Sequence, residues 1–154
     1  RIEALYKPYH RALRRLINKA HQAFGTVILV DCHSMPSVGV SRDEPRRPDI
    51  VIGDRYGTSC AGLLADVVED IMSGLGYSIG RNKPYAGGFI TEHYGEPGIG
   101  RHALQIEINR GLYMNETSLA VTDGFSELVW HLREMIVAVA AEIVDLTPRR
   151  IAAE

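Results

Sequence analysis

An amphipathic helical pattern that leads directly into a short apolar run is the feature that most limits the folds open to this chain. Apolar side chains recur every three or four positions from Leu5 to Phe24, which predicts a helix that ends at Gly25. Residues 27–30 follow at once and are all apolar, which predicts a strand buried on both faces. This succession is typical of an α/β domain.

The rest of the chain continues the alternation of helices and strands. The pattern predicts short strands over 50–52 and 77–79, a helix from Thr58 or Ser59 to about Met72, and a long helix over 129–143 that ends before Pro148. Glycine and proline are frequent in residues 34–49 and 81–100, so we expect loops there, with one helical turn over 89–93. The predicted fold is therefore a mixed, largely parallel sheet flanked by helices.

Residues 102–109 alternate between apolar and polar side chains, which is the pattern of a strand with two different faces. The apolar row should face the core and the polar row should face solvent or a cleft. The apolar row consists of Leu104, Ile106 and Ile108, and the polar row of Gln105, Glu107 and Asn109.

Composition excludes several classes of partner. Seventeen basic and 19 acidic residues give a net charge of −2, so no nucleic acid partner is expected. The longest apolar run, residues 135–141, is too short to cross a bilayer. The two cysteines form no paired motif, which favours a reducing, cytoplasmic location. The chain opens with Arg1 rather than methionine, and we expect that an N-terminal segment is missing.

Asp31 and His33 form the first candidate site, because they follow the predicted strand 27–30 directly. Open α/β sheets bind ligands outside the carboxyl ends of their strands. Alternate residues of a strand share a face, so Asp31 could orient His33 for metal binding. A strand-end histidine bonded to backbone explains the pattern equally well. Cys32 should point to the opposite face, which argues against a cysteine nucleophile beside His33 and favours a core position.

Two further candidates are Glu107 and the loop at 81–88. A carboxylate fixed on a strand suits a general base, although a solvated surface strand is the commoner explanation. In the loop, Arg81 or Asn82 could bind a carboxylate, and Tyr85 could cover a ligand. A plain surface turn is again the commoner alternative.

Five blocks in one order resemble the N-formylglutamate amidohydrolase family over about residues 8–145. They are residues 31–36, 53–60, 82–95, 102–110 and 113–114. The resemblance implies a fold like that of zinc carboxypeptidases (phosphorylase/hydrolase-like). It also implies hydrolysis of N-formylglutamate to formate and glutamate, or hydrolysis of the amide bond of a related N-acyl amino acid. The substrate would be a small molecule.

The resemblance also implies roles for individual residues. His33 would be the last of three protein ligands to zinc or another divalent metal, and Glu107 would activate the metal-bound water. Tyr85 would cover the substrate, while Arg81, Asn82 and His93 would line its pocket. We further infer that Asp31 hydrogen-bonds to His33 from behind.

This chain departs from the family pattern at its beginning. A further histidine, an acidic ligand and an Asn-Arg pair are expected upstream, so residues 1–154 would be the C-terminal portion of a single amidohydrolase domain, incomplete at the N-terminus. The piece alone should bind zinc weakly and show little activity. A non-catalytic amino-acid-binding or regulatory module without metal is the alternative, and the sequence predicts no oligomeric state.

Overall fold

The computed structural model describes residues 1–38 and 47–142, which form a sheet with helices on both faces. The helices are α1 (Lys7–Phe24), α2 (Gly62–Gly74), α3 (Phe89–Tyr94) and α4 (Gly124–Ala141). The strands are β1 (Val27–Met35), β2 (Ile50–Gly53), β3 (Ile79–Arg81) and β4 (Arg101–Asn109). A π-helical turn, Ile2–Tyr6, precedes α1, and short 3-10 turns span Pro97–Ile99 and Arg110–Leu112.

The four strands lie in the order β1-β4-β2-β3. β1 runs parallel to β4 and β2 runs parallel to β3, whereas β2 and β4 are antiparallel. The expectation of a mixed, largely parallel sheet flanked by helices is therefore confirmed. β4 has a neighbour on each side, and this position holds its side chains rigidly.

The main core lies between one face of the sheet and the helices α2 and α4. Leu104 and Ile106 of β4 are completely buried there, together with Leu64 and Val68 of α2 and Met135 of α4. The predicted inward row of β4 is thus confirmed. Burial of these apolar side chains, at about 1.5–3 kcal/mol each, is the main stabilisation that the fold gains.

The prediction that β1 is buried on both faces is wrong. β1 lies at the edge of the sheet, and the four apolar residues of the prediction, 27–30, are only half-buried. Cys32, which we expected in the core, is exposed. Periodicity identified the strand but could not place it, because the place of a strand in a sheet depends on contacts between distant segments.

Helix α1 is present as predicted and ends at Gly25, whose φ of 76° lies in the left-handed region that glycine favours. Of its predicted apolar stripe, however, only Ile17 is buried, while Leu5, Leu16 and Phe24 stay more than half exposed. Leu13 and Ala20 of this stripe are half-buried.

Other helices and strands begin or end at residues different from those predicted. Helix α2 begins at Gly62 rather than near residue 58, because a turn precedes it in which Arg55 and Tyr56 have positive φ. The helical turn expected at 89–93 is α3, and the weak strand is β3, two residues later than predicted. The predicted loop at 34–49 and the end of the last helix fall partly on residues outside the described ones. No helix among the described residues is long and apolar enough to span a membrane.

Candidate active site

The polar face of the sheet brings together the residues that the sequence singled out on two separate strands. The parallel register of β1 and β4 pairs Asp31 with Gln105 and His33 with Glu107. Paired residues of adjacent strands point to the same face, so these four side chains form one cluster near the carboxyl ends of β1 and β4. Cys32 is paired with Ile106 on the other face, as expected.

His33 lies between two carboxylates. Its Nε2 is 3.1 Å from Oδ2 of Asp31, and its Nδ1 is 3.5 Å from Oε1 of Glu107. An ionised carboxylate can only accept, so Asp31 favours the tautomer with the proton on Nε2. Nδ1 then carries the lone pair, and the imidazole, with 45% of its side chain exposed, presents that nitrogen toward Glu107.

Glu107 is held in place by a buried chain of hydrogen bonds. Nε2 of Gln105 donates to Oε1 of Glu107 at 2.8 Å, and the Gly88 backbone N–H donates to Oε1 of Gln105 at 2.7 Å. The residues Gln105 and Glu107 are only 3% and 6% exposed. The polar row therefore is not the solvated surface that was the commoner alternative, because α3 and the loop before it cover this face of β4.

Sequence reasoning missed the positioning role of Gln105. It placed this residue in the polar row but gave it no partner. The two-residue spacing from Glu107 on a strand was the available signal, since such residues lie side by side on one face. The bond from Gly88 could not be read from the sequence, because it joins two distant segments.

The predicted substrate residues Arg81 and Asn82 contact acidic groups at the far side of the sheet, beside β2. The Arg81 guanidinium donates to Asp54, Asp66 and Glu69 at 2.8–3.1 Å. Burial acts to lower the pKa of Arg81, but these three hydrogen bonds outweigh it and raise the pKa above its ordinary value. Their contribution to stability is limited by solvent, because Asp66 is largely exposed.

Asn82 stabilises the turn that follows β2. Its Oδ1 accepts from the backbone N–H groups of Asp54 and Tyr56, and its Nδ2 donates to Oδ1 of Asp54 at 2.7 Å. Burial acts to raise the pKa of Asp54, but the bonds from Asn82, the Gly57 N–H and Arg81 outweigh it, so this pKa lies below its ordinary value. Whether Arg81 and Asn82 also bind substrate stays a prediction.

Tyr85 and His93 also have protein partners. The Tyr85 hydroxyl accepts from Arg47, whose guanidinium lies 5.5 Å from the centre of the Tyr85 ring. His93 stacks on Phe89 and receives a hydrogen bond from Arg14 at 3.1 Å, which directs it toward α1. Their predicted contacts with substrate also stay predictions.

Residues 1–114 match the family model of N-formylglutamate amidohydrolase. The chain belongs to the N-formylglutamate amidohydrolase family. The resemblance inferred from the sequence is thereby confirmed.

Relatives within this family include two proteins named N-formylglutamate deformylase. The one from Pseudomonas putida is 36% identical over 117 residues, which cover 75% of this chain and 44% of the relative. The one from Pseudomonas aeruginosa is 35% identical over 113 residues, covering 73% and 42%. A crystal structure of N-formylglutamate amidohydrolase from Ralstonia eutropha matches with a TM-score of 0.85 and 36% identity, covering 94% of this chain and 55% of that one. The chain thus spans less than half the length of these two curated relatives.

The described residues fit part of a metal site and not a whole one. Within residues 1–38 and 47–142, no three histidine, cysteine or acidic side chains are placed so that they could hold a metal ion together. His33 supplies one imidazole, oriented by the carboxylate of Asp31, as is usual behind a metal-binding histidine. A catalytic zinc site of the amidohydrolase type would need about two further protein ligands.

Proposed function

We propose that this chain contributes the general base and one metal ligand to an enzyme that hydrolyses the amide bond of N-formylglutamate to formate and glutamate. The observation that carries the proposal is the 3.5 Å approach of His33 Nδ1 and Glu107 Oε1 on one face of the sheet in a member of this family. The activity of the whole protein is part of the proposal, as is the assignment of residues 1–154 to the C-terminal portion of one domain with a carboxypeptidase-like fold.

Glu107 is the proposed proton acceptor and donor. Its carboxylate would take a proton from the attacking water and later deliver it to the departing amine. The hydrogen bond from Gln105 and the burial of the side chain keep one carboxylate oxygen in a fixed position. Such fixed placement lowers the entropic cost of reaching the reactive geometry.

His33 would hold zinc, or another divalent metal, through Nδ1, while Asp31 keeps the proton on Nε2. When bound, the metal would polarise the formyl oxygen and make water more acidic. Since the described residues supply one ligand, tight metal binding requires ligands from outside them. We therefore expect residues 1–154 alone to bind zinc weakly and to show little activity.

Specificity for the substrate is assigned to the side of the cluster next to residues 82–88. Tyr85 would cover the bound substrate, with its hydroxyl restrained by Arg47. The contacts of Arg81 and Asn82 support an indirect role, in which they hold the turn at Asp54 that packs beside this loop. The proposed substrate is a small N-acyl amino acid, of which N-formylglutamate is favoured by the names of the relatives.

The test is formate release from N-formylglutamate by the polypeptide as its gene encodes it. Replacing Glu107 by glutamine should lower kcat by about 10²–10⁴-fold, because general acid–base catalysis contributes that much. His33→Ala should lose both bound metal and activity. Glu134→Gln is the matched control, since Glu134 is exposed on α4 on the other face of the sheet, and it should leave kcat unchanged.

Three outcomes would redirect the proposal. Full activity in Glu107→Gln would contradict the role of the general base. Binding of N-formylglutamate without hydrolysis would favour the non-catalytic amino-acid-binding module. Faster hydrolysis of another N-acyl amino acid, such as N-acetylglutamate, would keep the chemistry and change the substrate.

A further inference from the structure

A cavity lies far from His33 and Glu107, at the opposite end of β4. It has a volume of about 320 Å³ and lies between α1, the end of α3 and the first residue of β4, Arg101. At roughly 3.3 Å per residue, Arg101 and Glu107 are about 20 Å apart along the strand. A ligand in this cavity would therefore not contact the proposed catalytic cluster.

Arg101 contains a buried donor that lacks an acceptor. Among the buried side-chain nitrogen and oxygen atoms of residues 1–38 and 47–142, the Nε of Arg101 lacks a hydrogen-bond partner. One terminal nitrogen of the same guanidinium donates to Oδ1 of Asn18 at 3.1 Å, and the other is 3.9 Å from Glu96, beyond hydrogen-bond distance. An unsatisfied buried donor is costly, and the Arg101 side chain, which is 28% exposed, lines the cavity, so an anion bound there would compensate the charge of its guanidinium group.

The cavity lining holds a second guanidinium group, that of Arg14. A guanidinium has no acceptor atom, so the 3.1 Å contact between Arg14 and Nε2 of His93 requires that His93 accepts there. Neutral His93 then carries its proton on Nδ1. The one carboxylate in the lining, Glu96, is more than half exposed and offsets only one of the two guanidinium charges.

We propose that this cavity binds a small anion that carries a carboxylate or phosphate group. Guanidinium groups match the planar or tetrahedral oxygens of these anions with parallel hydrogen bonds, and Arg101 of β4 and Arg14 of α1 both line the cavity. The volume lies at the lower end of the range for small-molecule sites, which fits a metabolite smaller than a nucleotide. The proposal assigns His93 to this second site rather than to the amide substrate.

The experiment is isothermal titration of the polypeptide as its gene encodes it with inorganic phosphate and, separately, with succinate at constant ionic strength. We expect saturable binding, and the tighter of the two anions identifies the preferred group. Arg101→Gln and Arg14→Gln should each weaken binding about tenfold or more, because each removes charge-assisted hydrogen bonds. Arg15→Gln is the matched control, since it removes the same charge from an exposed position on α1 outside the cavity and should leave the Kd unchanged.

The readout is binding and not hydrolysis, so it stands apart from the proposed function. Glu107→Gln should bind the anion with the wild-type Kd even if it hydrolyses nothing. The proposal is overturned if neither anion binds saturably, if Arg15→Gln weakens binding as much as Arg14→Gln, or if Glu107→Gln abolishes it. Should Arg101→Gln fail to fold, Arg14→Gln decides, because the Arg14 side chain is exposed and its loss leaves the core intact.

Discussion

Replacing Gly53 by alanine should lower the stability of the fold and weaken the hydrogen bonds that position Glu107. Gly53 is the last residue of β2 and is buried, and the chain passes close above it at Gly87. A Cβ atom at position 53 would lie 2.6 Å from the backbone nitrogen of Gly87 and 2.8 Å from the carbonyl carbon of Ala86. Both neighbours are backbone, so neither can turn aside as a flexible side chain would.

The size of the effect follows from these contacts. The segment around Gly87 must move by about 1 Å to restore ordinary contact, and overpacking of this kind costs about 1–3 kcal/mol. Two hydrogen bonds anchor the same segment, from the Arg55 N–H to Ala86 at 2.8 Å and from the Gly88 N–H to Gln105 at 2.7 Å. If each loses part of its net contribution of about 1 kcal/mol, the total is about 2–4 kcal/mol.

Urea denaturation followed by circular dichroism measures this free energy of unfolding directly. For a chain of this length the expected loss corresponds to a fall in Tm of about 5–15 °C. Gly74→Ala is the matched control, because a Cβ atom there meets nothing within 4 Å and alanine favours the helix by up to about 1 kcal/mol. A Gly53→Ala protein as stable as the wild type would refute the close approach of the two segments.

Three further variants or reagents test separate features. Burial acts to raise the pKa of Asp54, but the hydrogen bonds to its carboxylate outweigh burial and lower this pKa. The stability that the Asp54 carboxylate contributes is therefore complete above its unfolded pKa of about 3.9. This stability is lost as the pH falls through the lower pKa of the folded state. Asp54→Asn should therefore be less stable than wild type at neutral pH, with the difference shrinking below about pH 4 in parallel denaturation curves. Burial raises the pKa of the Cys60 thiol to about 12, whereas Cys32 is exposed. A thiol reagent should therefore label Cys32 in the folded protein and Cys60 only after unfolding. Rapid labelling of both cysteines would contradict the buried position of Cys60. Asp31→Asn should weaken zinc binding by the complete polypeptide about tenfold or more, because His33 loses the carboxylate that orients it. Competition with a chelator measures this affinity. An unchanged affinity would contradict a role for Asp31 in the metal site.

Some features of the candidate site can be predicted from the sequence, and others depend on the fold. Strand alternation placed Glu107 in a polar row, and the position after a strand marked His33 as a candidate. That these two side chains lie 3.5 Å apart depends on the pairing of β1 with β4, whose residues are more than 70 positions apart in the chain. The burial of Gln105 and its bond from Gly88 depend on the same long-range packing.

The sequence by itself determined the kind of each element, because helix and strand periodicity, glycine ends and proline stops are local properties of the chain. It also identified the family, through blocks of residues that resemble it, and the match of residues 1–114 to the family model confirms this identification. Only the tertiary structure decided that β1 is an edge strand, that the polar row of β4 is buried, and that Arg101 borders a cavity. Strand order and burial are set by contacts between segments distant in sequence, and no local pattern specifies which segment will cover another.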